Sequence, residues 1–335
     1  MKLSIVIPVY GVENYVEDCI RSCIENIEAC EAEVEMIIVD DGSKDHSMEI
    51  ISKLVSGLSF VHVLTQQNEG LSIARNNGLK KSKGDYIWFV DSDDIIAGGV
   101  VDKILSTLDF YDNLDILELE YEEVDEFVDR NFLKSIGDFK NPGKLMKGWE
   151  RFISGFNTPA QFHVFRRDFL IKNELYFYPK IYHEDCEFIP RTLWKAERVA
   201  LLPGVAYYYR QRRNSIVSTP NPKKGCDYIK VAGLLHAFFE KQNMDHETRK
   251  IVSNYVSIIF CNGLNKAIGA SNNNIGLIKQ SIENNKCVLG SLKQSGRIKH
   301  QLLGYIGSAF PKHILNIYLF MFRFKKRTKS SQIFL

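Results

Sequence analysis

Asp91, Ser92, Asp93 and Asp94 follow directly on the apolar run Tyr86 to Val90. Two carboxylates two residues apart at a strand end offer hard oxygen ligands to Mg2+ or Mn2+, and such sites leave positions open for a diphosphate. The string is also an ordinary turn signal, because turns are rich in Asp. An EF-hand reading fails, since Ile96 stands where the sharp turn needs glycine. Three further polar clusters follow apolar runs: Pro8-Val9-Tyr10 with Glu13 nearby, Asp40-Asp41-Gly42-Ser43, and Asn68-Glu69-Gly70 leading to Arg75. Asp41 taken alone would serve equally as a helix cap. Later in the chain, Glu184-Asp185 could supply a general base for a substrate hydroxyl. It could as well complement a helix dipole from the first turn, and spacing does not choose between the two. No G-x-x-x-x-G-K-[ST] and no G-x-G-x-x-G after a strand occurs, which excludes P-loop and dinucleotide sites.

These clusters need a scaffold that brings them to one edge. Leu3 to Val9 is a continuous apolar run, as a strand covered on both faces requires. It reads as a buried first strand; the run is too short for a secretory leader, and a polar helix follows it. Val16, Cys19, Ile20, Cys23, Ile24 and Ile27 recur at helical spacing. Val34–Val39 and Phe60–Leu64 read as strands, separated by a helix through Met48, Ile51, Leu54 and Val55. A helix over Leu71–Lys81 then leads to the strand Tyr86–Val90. Strand–helix alternation with short links predicts an α/β fold with a mostly parallel sheet, whose ligands bind beyond the carboxyl ends of the strands. Gln161–Arg166 and Val199–Arg210 read as further strands and His183–Lys195 as a helix. Gly99–Phe110 reads as a helix and Leu114–Leu119 as a strand, while the ten acids and no base between Asp109 and Asp129 predict a solvated acidic face or a loop. From Lys223 the spacing turns helical, with runs at Tyr228–Lys241, Thr248–Lys266 and Arg297–Phe324. The expected division is therefore a catalytic domain over 1–222 and a helical region over 223–335.

The strings Ser4-Ile5-Val6-Ile7-Pro8-Val9-Tyr10, Ile37-Ile38-Val39-Asp40-Asp41-Gly42-Ser43, Asn68 to Asn76, and Gly84 to Asp94 stand in one order over the first hundred residues. In this they resemble the family 2 glycosyltransferases, inverting enzymes of the GT-A fold. Shorter matches follow at His183-Glu184-Asp185 and from Tyr208 to Ile216. The resemblance implies that Pro8, Val9 and Tyr10 line a nucleotide base pocket, with Glu13 near the ribose. It implies that Asp41 accepts from the base imide, which favours a uracil nucleotide, and that Arg75 and the Asn68–Gly70 turn close around the donor. Asp91, with Ser92 beside it, would contact the ribose, while Asp93 and Asp91 would hold a divalent metal (Mn2+ or Mg2+) on the diphosphate. Arg212 and Ser215 would close on that diphosphate, and Asp185 would be the catalytic base with Glu184 in reserve. The implied reaction is transfer from a UDP-sugar to a hydroxyl of a surface-glycan or lipid-linked acceptor. Competing readings are a nucleotidyltransferase of related fold and a non-catalytic nucleotide-sugar-binding or membrane scaffold. The first lacks its Gly-rich basic loop, since Tyr10–Tyr15 holds one Gly and no base.

The 335 residues, 45% hydrophobic and 25% charged, exclude a disordered chain or a collagen. The net charge of +2 hides an asymmetry. The last acid is Glu283, after which ten Lys or Arg follow, so the first 283 residues carry −8 and the last 52 carry +10. Apolar segments beside the basic cluster Arg323 to Lys329 read as an interfacial anchor for an anionic membrane. The alternative is a core helix with a solvated basic end. Nucleic acid is disfavoured for want of a binding motif. Seven scattered cysteines without a C-x-x-C pair suit a reducing compartment. A cytoplasmic enzyme, peripheral on the inner face of the cell membrane, is the resulting expectation.

Overall fold

The computed structural model describes residues 1–28, 30, 32–128, 139–212, 221–270 and 275–322. Two compact units account for the chain: Met1–Phe152, Phe156–Lys180 and Thr192–Ser218 form the first, and Ile153–Gly155, Ile181–Arg191 and Thr219–Leu335 the second.

The first unit is built on one eight-stranded sheet. Strands β1 (Leu3–Val9), β2 (Val34–Asp40), β3 (Val61–Thr65) and β4 (Tyr86–Phe89) are mutually parallel in the order β3-β2-β1-β4. Every residue of β1, β2 and β4 is buried, as the continuous apolar runs require. The links are helices α1 (Val16–Ile27), α2 (Ser47–Leu54) and α3 (Leu71–Lys81). On α1, Val16, Cys19, Ile20, Cys23 and Ile27 form the buried stripe. At Gly78 of α3 a Cβ would lie 2.2 Å from Val6 Cγ1, so only glycine lets this helix settle on β1.

Beyond β4 the sheet mixes directions. The two-residue β5 (Ile95–Ile96) and helix α4 (Val100–Tyr111) precede β6 (Ile116–Val124), β7 (His163–Arg166) and β8 (Val199–Arg210). The order continues β4-β7-β6-β8-β5, with β7 antiparallel to β4 and β6, β8 parallel to β6, and β5 antiparallel to β8. Four of the seven pairings are parallel, so the expectation of a mostly parallel sheet holds. Short helices α5 (Gly148–Ser154) and α6 (Arg167–Lys172) flank β7, and α7 (Glu184–Lys195) precedes β8.

β6 runs through the acidic stretch, as the run Leu114–Leu119 predicts, and only part of the stretch is the solvated face that its composition suggests. Glu118 is buried with Arg151 and His163 as partners, and buried Asp115 pairs with Arg166 and accepts from the N–H groups of Glu197 and Arg198. Glu120, Glu122 and Glu123 do face solvent. Asp129 lies outside the described residues.

In the second unit α8 (Pro222–Phe239) and α9 (His246–Ala270) pack closely, and α10 (Ile275–Asn284), α11 (Leu289–Gln294), α12 (Ile298–Ala309) and α13 (Ile314–Phe322) follow. The crossing of α8 and α9 is at glycine: a Cβ on Gly225 would sit 2.2 Å from Ala267 N, and one on Gly263 2.8 Å from Gly225 O. The helical run expected over Arg297–Phe324 is two helices, broken where Pro311 lacks an N–H to donate. No helix among the described residues is long and apolar enough to cross a membrane.

Candidate functional site

The strand ends of the first unit deliver their polar clusters as the alternation requires. Behind β2, the Asp41 N–H donates to Val9 O, which ties the β1 and β2 ends together. Buried Asp41 then spends its carboxylate on the chain itself: Oδ1 accepts from Gln66 Nε2 and from the Glu69 N–H, both at 2.8 Å, and Oδ2 accepts from the Gly70 N–H at 2.9 Å. The 66–70 turn, with exposed Asn68, is thus hung on Asp41. Gly42 enables this approach: its φ is +74°, and a Cβ would press to 3.1 Å from Asn68 N. On the β1 side, Val9 is buried while Tyr10 is 52% exposed. Glu13 accepts from the His46 N–H through Oε2 at 2.9 Å.

At the end of β4, Asp91 and Asp93 each receive an arginine. Arg75 of α3, only 1% exposed, donates from Nη2 to Asp91 Oδ1 at 2.7 Å, its guanidinium 5.1 Å from the centre of the Phe177 ring. Arg212, just past β8, places Nε 2.5 Å from Asp93 Oδ2 and stacks over Tyr15. Burial pushes the Asp93 carboxyl up, the Arg212 charge pulls it back, and Asp91 raises it again. A carboxylate in that balance needs a cation beside it, and Arg212 supplies one.

Three residues that the sequence reading did not single out hold this edge. Asp94 is buried, accepts from Tyr207 Oη at 2.7 Å and from the Arg210 N–H at 2.8 Å, and is pushed well above the carboxylate range by burial, then by Asp93 and Asp91. The Tyr207 oxygen also accepts from the Asp91 N–H at 3.1 Å. Arg210 reaches Asp93 O, Glu126 O and Asp18 Oδ2 at 2.7–2.9 Å. The string Tyr207-Tyr208-Tyr209-Arg210 signalled a strand, yet its pairing with residues 113 or more positions earlier leaves no local trace.

Pro8, Val9, Tyr10, Glu13, Asp41, Asn68, Gly70, Arg75, Asp91, Ser92, Asp93 and Arg212 all belong to the first unit. Ser215 lies outside the described residues. Glu184 and Asp185 belong to the second unit, where they open α7 in its first turn. The chain enters that helix through His183, whose φ is +63° and whose ring stacks on Tyr228 at 3.6 Å. Burial, then Lys266 and Lys224, push His183 down to about 3, so it is a neutral imidazole. Asp227 fixes the same entry by accepting from the Tyr182 N–H at 2.9 Å.

No group of three or more His, Cys, Asp or Glu side chains that could hold a metal ion occurs among the described residues. Asp91 and Asp93 form a two-carboxylate set of hard oxygens, which fits a divalent ion that takes its other ligands from water and a diphosphate. With a divalent ion on those oxygens, this edge and its two arginines could offset a group that carries or develops negative charge.

The family described as Glycosyl transferase family 2 matches residues 4–171. Among curated proteins, "Uncharacterized glycosyltransferase YibD" of Escherichia coli (strain K12) is 28% identical over 263 residues, covering 75% of this chain and 74% of that protein. Among solved structures, S. aureus TarS 1-349 in complex with UDP-GlcNAc superposes with a TM-score of 0.78 at 21% identity, covering 97% of this chain and 92% of that one. The mannosyltransferase PcManGT from Pyrobaculum calidifontis, in complex with GDP-Man and Mn2+, gives a TM-score of 0.56 at 12% identity over 97% of this chain and 88% of that one.

Proposed function

The chain belongs to glycosyl transferase family 2 and is a glycosyltransferase of the GT-A fold; from that premise we propose that it moves a sugar from a UDP-sugar to a hydroxyl of a surface-glycan or lipid-linked acceptor, inverting the anomeric carbon. One observation carries the donor half of this reading: Asp91 and Asp93 stand together at the end of β4, with Arg75 and Arg212 on them at 2.7 and 2.5 Å. The UDP-GlcNAc bound by TarS supports the uridine nucleotide.

Pro8, Val9 and Tyr10 line the base, Glu13 and Asp91 the ribose, and the turn hung on Asp41 closes over the donor with Arg75. Asp91 and Asp93, with Ser92 between them, would hold Mn2+ or Mg2+, as the Mn2+ in PcManGT supports. Such an ion, when bound, offsets the charge of the diphosphate. Arg212, freed from Asp93, and Ser215 turn to the leaving oxygens, where charge develops as the bond to the anomeric carbon breaks. Asp185 takes the proton of the acceptor hydroxyl while that oxygen bonds to the same carbon from the opposite face. Glu184, buried beside it in sequence, is the second carboxylate of the turn. The basic C-terminal region places the enzyme on the inner face of the cell membrane, where lipid-linked acceptors reside.

A panel of UDP-sugars, read by thermal stabilisation and by UDP release, tests the donor assignment. Asp93→Ala is expected to remove metal-dependent turnover. Full turnover of that variant without metal overturns the metal assignment, and stabilisation by no UDP-sugar overturns the donor.

A further inference from the structure

Helix α12 has two apolar faces, and the fold uses one. His300, Leu303, Gly304 and Gly307 are buried, and a Cβ on Gly304 would come 2.8 Å from Lys293 N, so this side lies directly on α11. The opposite side carries Ile298, Leu302, Tyr305 and Ile306, exposed by 73%, 47%, 61% and 39%, with Phe310 at 59% just past the helix end. Positions i, i+4, i+7 and i+8 fall on one stripe of a helix. Single exposed apolar side chains need no explanation, but a contiguous row of this size marks an interaction surface.

Its flanks decide the partner. Lys293, whose ammonium lies 5.7 Å from the Tyr305 ring centre, Arg297, Lys299 and Lys312 border the row, and no acid follows Glu283 anywhere in the sequence. We propose that this face of α12 is a membrane-docking surface that lies in the headgroup region of an anionic phospholipid bilayer. An apolar stripe edged by basic side chains suits that position, since their stems lie along the acyl boundary while the charges reach the headgroups. The helix does not span: 12 residues rise about 18 Å against a hydrocarbon core of about 30 Å. A second copy of the chain fits less well. A two-fold interface sets each patch against itself, here Arg297 and Lys299 against their own copies with no acid to offset them.

This inference rests on the membrane placement proposed above: wild type that ignores anionic vesicles overturns both, a double variant that binds like wild type overturns the docking face alone, and the donor assignment is touched by neither. The full chain is sedimented with vesicles of phosphatidylcholine and phosphatidylglycerol in equal amounts, and with phosphatidylcholine alone. The wild type is expected to bind the mixed vesicles, with binding weakened by salt. The double variant Ile298→Asp/Tyr305→Asp, at the two most exposed positions of the stripe, is expected to bind them about tenfold or more less tightly. Its melting midpoint should be unchanged, because both side chains face out. Wild-type protein that ignores the mixed vesicles overturns the inference, and so does a double variant that binds like wild type. A wild-type dimer that the double variant dissociates shows instead that a second copy covers the face.

Discussion

Arg75 and Arg212 do different work although each sits on an aspartate. Arg75 is buried to 1% exposure and belongs to the folded frame, whereas Arg212 stands just past β8 with 20% of its side chain exposed. Arg75→Met should therefore cost stability as well as activity, about 3 kcal/mol in a denaturant titration, because it leaves Asp91 without its cation. Asp185→Asn should leave UDP-sugar binding intact and lower transfer by roughly 10²–10⁴-fold in single-turnover assays, as loss of a general base does; transfer at the wild-type rate would remove Asp185 from the base role. At this scale the sequence was informative where polar residues follow apolar runs, since a strand end needs little but its own neighbours to be seen. Asp41, Asp91 and Asp93 were legible in that way. The service of Asp41 to the 66–70 turn was not, nor was the lock of Asp94, Tyr207 and Arg210, because each rests on partners distant in the chain.

At the scale of elements, the close seat of α3 on β1 fixes where Arg75 points. Gly78→Ala brings a methyl to 2.2 Å from Val6 Cγ1, and helix and strand must part to admit it. A loss of roughly 1–3 kcal/mol is expected in the unfolding free energy, together with weaker donor binding as Arg75 shifts from Asp91. β1, β2 and β4 could be read because each buries one continuous apolar run, and α1 because its buried residues recur at helical spacing. Of β6 only the first part was legible, in the apolar run Leu114–Leu119; its second part alternates acids with Tyr121 on an open face. The insertion of β7 between β4 and β6 was hidden: pairing partners across a sheet leave no periodic mark in either strand.

For the whole molecule, charge and protonation are unevenly distributed. The second unit buries neutral imidazoles: His183 is pushed down to about 3 and His300 to about 4, by burial first and then by nearby cations, and burial also lowers His236. Once unfolded, each takes up its proton near 6.5. Between those values the unfolded chain binds more protons, so stability rises with pH through the window and is lost as pH falls from about 6.5 towards 3–4. The melting midpoint should drop across that range, and less steeply for His183→Phe, which keeps a ring on Tyr228. A separate consequence follows from the span of the Asp94–Tyr207 bond. Tyr207 leaves the ribosome 113 residues after Asp94, a delay of roughly 6–23 s at about 5–20 residues per second. Through that interval the nascent chain carries Asp94 without its closing partners. The edge around Asp91 and Asp93 is closed only when β8 has been synthesised, so a site there cannot be complete before the ribosome has passed Arg210.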